Sequence, residues 1–212
     1  APLENFSGDF NEIKISDTLK IIKLPKDELQ QIWQRGEFSP LVNRHEIWHT
    51  EYAIEMVWEA RKIIGSENQM PVGSNVREAF VNLLSVLRIY KSGLTGFNFI
   101  ETKPVKPSIV IAGIESVGGL ATQPYHGQKF TLSEKDKAQF IELYKHFMDF
   151  KSHLNQNYLW TSIWRFEYAY ARLLPEEKLL DYMIAFEALF LRGDEQQELS
   201  YRLSLRSSYF LS

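Results

Sequence analysis

Cysteine is absent from the 212 residues, which excludes disulfides, thiolate metal sites and a cysteine nucleophile. A signal-peptide pattern and an apolar run of about 20 residues are missing too, so no membrane helix is expected and the location is read as cytoplasmic. Positive charge is not in excess. The 24 Lys and Arg stand against 27 Asp and Glu, a formal charge of -3, so any contact with RNA has to come from a local patch. The glycines between Gly113 and Gly119 lack the spacing of a P-loop or a dinucleotide fingerprint, and no cofactor is expected.

Hydrophobic and aromatic mass is plentiful. A 44% hydrophobic fraction with 14 Phe, 10 Tyr and 5 Trp is enough to bury an aromatic-rich core. Ile13 and Ile15, then Leu19 and Ile21, alternate with polar residues on either side of Ser16-Asp17-Thr18, which predicts two short strands. Residues 26–35 read as a brief helix with Asp27 and Glu28 in its first turn. The run 51–59 sets Tyr52, Ile54, Met56 and Trp58 on one face of a strand. Asn75 can cap a helix to about Tyr90 with Val76, Phe80, Leu83, Leu84 and Leu87 inside. Strands are expected at 96–102 and 107–114, followed by a loop ending at Lys129, so residues 1–130 read as an α+β domain without internal repeats.

After Phe130 the period becomes helical. Thr131 with Glu134 has capping-box spacing, and Phe140, Leu143, Phe147, Phe150 and Leu154 form the first seam. Leu159, Ile163, Phe166, Tyr170 and Leu173 form the second; Leu179, Met183, Phe186 and Phe190 the third. Connections this short predict antiparallel neighbours, so residues 131–212 read as a helical bundle and the whole as α+β. The chain opens on Ala1-Pro2 and stops at Ser212 within an apparent helix, which suggests part of a longer polypeptide.

Residues 44–49, Arg-His-Glu-Ile-Trp-His, admit two chemistries. His45, Glu46 and His49 have HExxH spacing, which on a helix sets two imidazoles to bind zinc beside a glutamate base, as in a metallopeptidase. The motif runs straight into a strand pattern, however, where i and i+4 imidazoles do not converge. Arg44 and His49 also satisfy R-x4-H, in which an arginine holds phosphate while a histidine moves a proton.

The segment 164–209 resembles the Apea-like branch of the HEPN superfamily. The likeness is carried by Arg165-Phe166, by Pro175-Glu176-Glu177-Lys178-Leu179-Leu180-Asp181, by residues 184–191 and by the run from Glu198 to Arg206. The resemblance implies an N-terminal α+β region followed by a HEPN-like helical bundle. It further implies a metal-independent RNA endonuclease or RNA-binding protein of a defence or toxin-type system, such as antiphage defence. Family catalysis uses an arginine and a histidine in R-x4-6-H, in which the ribose 2′-hydroxyl attacks the adjacent phosphate. In the Apea-like pattern that pair follows the 198–206 run by several tens of residues. It would therefore lie beyond residue 212, leaving the bundle incomplete and this chain inactive by itself.

The resemblance also implies partners, namely RNA and a second copy of the chain in a homodimer through the bundle. A non-catalytic interaction and dimerisation module is the alternative, and the HExxH metallopeptidase a third. Glu187 sits among apolar residues and needs Arg165, Arg202 or Arg206 as a partner if it is buried, whether as a structural ion pair or beside the catalytic pair. Arg202, Arg206 and Tyr209 share a helical face that either contacts RNA or braces the preceding helix.

Overall fold

The computed structural model describes residues 1–31, 51–58, 73–97, 99–103, 113–116, 128–152, 157–172, 174–190 and 208. Its elements run β1 (Pro2–Leu3), β2 (Phe6–Gly8), β3 (Glu12–Lys14), β4 (Leu19–Lys23), β5 (Tyr52–Met56), α1 (Gly73–Tyr90), β6 (Phe99–Thr102), β7 (Gly113–Ser116) and β8 (Phe130–Leu132). Three helices follow: α2 (Lys137–Ser152), α3 (Asn157–Ala171) and α4 (Pro175–Phe190). With strands first and helices last, the fold is α+β. Two compact units emerge, Ala1–Phe147 and Met148–Ser212.

In the first unit an antiparallel sheet has the order β1-β5-β4-β3. Ser16 makes the β3–β4 turn, its hydroxyl accepting the amides of Thr18 and Leu19 at 3.3 and 3.1 Å. The alternation read from the sequence puts Ile13, Ile15, Leu19 and Ile21 in the core. On β5 three consecutive residues are buried, Tyr52, Ala53 and Ile54, while Met56 and Trp58 are only partly covered. Residues 26–31 are helical, and the remainder of that expected helix lies outside the described residues.

A four-ring cluster ties this sheet to a second, parallel ladder between β2 and β8. Phe6 stacks on Phe130 at 5.4 Å between centroids and meets Tyr52 edge-on at 5.3 Å, and Phe10 lies 4.9 Å from Tyr52. The Tyr52 hydroxyl donates to the carbonyl pair of Gly8 and Phe10, at 2.8 and 3.0 Å, so the buried ring also closes the β2–β3 connection. Two residues with positive φ let the chain pass this cluster. Asn5, at φ 51°, donates its side-chain amide to the Leu94 carbonyl at 2.8 Å. Gly93, at φ 136°, leaves no room for a side chain, since a Cβ there would lie 2.8 Å from the Cα of Phe130.

Helix α1 buries the stripe its periodicity predicts, Val76, Phe80, Leu83, Leu84 and Leu87. The start of the next helix differs from expectation. Thr131 belongs to β8, opposite Ser7, and the two hydroxyls are 3.0 Å apart. A residue committed to a ladder cannot cap, and the role passes to Ser133. Its amide and hydroxyl donate to Asp136 at 2.8 and 2.7 Å at the entrance to a short 3-10 turn. Lys91 bonds the same carboxylate and, with Ser133, holds it far below the usual carboxylate range against the opposing effect of burial. Strand β7 runs to Ser116, two residues past its expected end, and pairs antiparallel with β6. Residues 107–112 lie outside the described set.

Candidate nucleic-acid interface

The second unit is built on a hairpin of α3 and α4. Pro175 opens α4 where a missing amide costs nothing, and Glu176 and Glu177 occupy its first turn, favourable to the helix dipole. Cross-contacts fix the helices as antiparallel: Ser162 meets Ala185, Arg165 meets Asp181, Phe166 meets Tyr182, and Arg172 meets Glu177. The Ser162 hydroxyl donates to the Ala185 carbonyl at 2.8 Å, so small residues bring the backbones close.

Buried in this seam is Asp181, 2% exposed. One of its oxygens accepts Nη1 of Arg165 at 3.0 Å and the other accepts Nε of Arg172 at 2.9 Å. Burial is the largest single influence on the carboxyl and pushes it up. The hydrogen bonds and charges of Arg172 and Arg165 together outweigh that, and its pKa lies below the ordinary value. A carboxylate depressed in this way stabilises the fold above its unfolded pKa, near 4, and loses that contribution as the pH falls through the lower folded value.

Beside the triad, α3 bears an exposed strip. Trp160, Trp164 and Tyr168, with Arg172 just past the last helical residue, follow one another at four-residue steps, which on a 3.6-residue helix form a slowly drifting stripe whose two ends are half-buried. Trp164 is 42% and Tyr168 37% exposed. The three rings are spaced 6.1 and 5.8 Å apart with interplanar angles of 66° and 51°, so no ring lies flat on its neighbour. Together with Thr161 and Arg165 they line a shallow groove of about 430 Å³. Lys151 adds a third cation, its ammonium 5.4 Å from the Trp160 centroid. Stacking faces interleaved with cations are the chemistry that holds bases and phosphates.

A second recess, of about 300 Å³, lies in the first unit between β5, β6 and α1. Glu28, Glu55 and Glu101 line it with Lys103, an acidic majority that disfavours phosphate. Among the described residues no group of three side chains is placed to hold a metal. His45, Glu46 and His49 lie outside the described residues, as do Arg44, Arg202, Arg206 and Tyr209.

Of the remaining expected site residues, Arg165 is in the groove and Glu187 is exposed on α4. On α4 the buried carboxylate that needs a cation is Asp181 instead, six residues earlier. The third seam also turns out differently. Leu179, Met183 and Phe186 are exposed, Met183 by 52%, while α4 buries Asp181 and Ala185. The ion triad and the small residues determine which side of α4 meets α3, and the bulky stripe is rotated away. The aromatic strip and Arg172 escaped the sequence reading, although W-x3-W-x3-Y-x3-R was visible in it.

Comparison with protein-family models, curated proteins and solved structures finds no match for the chain.

Proposed function

We propose that this chain is an RNA-binding protein and the RNA-engaging part of a metal-independent endonuclease of the HEPN type, in a defence or toxin-type system. The observation that carries the reading is the α3 strip, where three aromatic rings and the cations Arg165 and Arg172 line one groove, with Lys151 over the Trp160 ring, on a chain of net charge -3. Trp164, Arg165 and Asp181 also fall within the segment that resembles the family. In this reading Arg165 and Arg172 hold phosphate, the rings hold bases, and Asp181 keeps the arginines in place. The part this reading assigns to the groove residues is to bind and orient RNA. Fluorescence anisotropy with a labelled oligouridylate, repeated over a salt series, tests the proposal. Three phosphate contacts give log K a slope of about -2 against log salt on a single strand. Absence of saturable binding at low salt rejects it.

A second reading, a homodimerisation module, is favoured by a separate observation, the exposed stripe of Leu179, Met183 and Phe186 on α4. A second copy presenting the same stripe would cover it about a two-fold axis. Sedimentation equilibrium should then show a dimer that Met183→Glu converts to monomer. A wild-type chain that remains monomeric at concentrations of tens of micromolar removes this reading.

A further inference from the structure

One carboxylate divided between two arginines is more than an α3–α4 hairpin needs, since either arginine alone would neutralise Asp181. The Cα atoms of Arg165 and Arg172 are separated by about 10 Å of helix rise, yet both guanidiniums converge on the same group. Their rotamers are thereby fixed, while 41% and 43% of the two side chains stay open to solvent on the border of the aromatic groove. Arg165 uses only Nη1 and Arg172 only Nε on Asp181, and Nη1 of Arg172 stands 3.7 Å from Glu177, so Nη2 of Arg172 and the Nε and Nη2 of Arg165 are the donors left for a further oxyanion.

We infer that Asp181 is a positioning residue that sets Arg165 and Arg172 as a paired grip on the backbone of single-stranded RNA lying along α3, with unstacked bases against Trp160, Trp164 and Tyr168. The inference rests on the RNA-binding reading above and narrows it to one class of RNA. A duplex keeps its base faces stacked inside and can offer the groove only phosphate and ribose, whereas a single strand offers both parts at once. The rings meet at an angle rather than flat, Lys151 lies over Trp160, and Trp164 and Tyr168 are the exposed rings that a base can reach.

A charge-only role for Asp181 makes the opposite prediction. The carboxylate cancels one positive charge beside the groove, so removing it would strengthen phosphate binding; a positioning role makes its removal weaken binding. The experiment compares the full chain with Asp181→Asn by anisotropy, using oligouridylate and a duplex of the same length paired with oligoadenylate. The wild-type chain should prefer the single strand, and Asp181→Asn should lose about tenfold in single-strand affinity and most of that preference. Unchanged or tighter single-strand binding by Asp181→Asn overturns the inference, as does equal wild-type affinity for the two RNAs. If neither RNA binds the wild-type chain, the RNA-binding reading itself fails. Should circular dichroism show Asp181→Asn unfolded, Arg165→Lys and Arg172→Lys decide. They keep the charge and lose the fork, so unchanged single-strand binding by both overturns the positioning role.

Discussion

Phe130→Ala is expected to destabilise the first unit by about 3–5 kcal/mol. The ring is fully buried, and its loss uncovers the stacked face of Phe6, which in turn supports Tyr52 and Phe10. Collapse into the cavity is obstructed on two sides. Residue 130 is held in register opposite Phe6 in a parallel ladder, and its backbone passes against Gly93 too closely for a methyl group to intervene. A site that cannot relax bears the cavity cost as well as the transfer cost. Chemical denaturation followed by tyrosine and tryptophan fluorescence measures the effect. A loss under about 1 kcal/mol would show that the cluster is not a core. Phe130→Leu, which retains most of the apolar volume, should fall between the two.

That cluster illustrates what can be read from the residues alone. Strand positions and the α1 stripe were legible because alternation and helical spacing report directly on which face is buried, as at Ile13, Ile15, Leu83 and Leu87. The β2–β8 pairing was not, because a parallel contact between residues about 125 apart leaves no local pattern, and Phe6-Ser7-Gly8 is too short to show periodicity. Thr131 is ambiguous for a related reason: a β-branched residue in a ladder and a capping threonine look alike in sequence.

In the second unit the helices of the hairpin were legible and their facing sides were not. Apolar periodicity assigns Leu179, Met183 and Phe186 to the inside, but the contact that orients α4 is polar, Asp181 shared by Arg165 and Arg172. A single buried carboxylate outweighs several apolar side chains here because leaving it uncompensated would cost several kcal/mol, by the order of magnitude of breaking a buried ion pair. The candidate site is hidden for another reason: the seam predicted for α3 runs through Leu159, Ile163, Phe166 and Tyr170 and assigns no role to Trp164 and Tyr168, which lie on the open side of the helix.

Their exposure makes the second large effect a clean one. The double variant Trp164→Ala, Tyr168→Ala should fold like the wild-type chain, since truncating exposed side chains outside the hairpin seam changes stability by only about 0.5 kcal/mol. Its affinity for oligouridylate should nevertheless fall about 30-fold or more, because each stacked base contributes on the order of 1–3 kcal/mol. The salt slope should stay unchanged, since Lys151, Arg165 and Arg172 are all retained. Phe at both positions keeps a π-face and should restore most of the affinity. Inorganic polyphosphate, which has charge but no bases, should bind the double variant and the wild-type chain alike. Equal oligouridylate affinity in the two proteins would reduce the strip to a charged surface with incidental rings, and the single-stranded reading would fall with it.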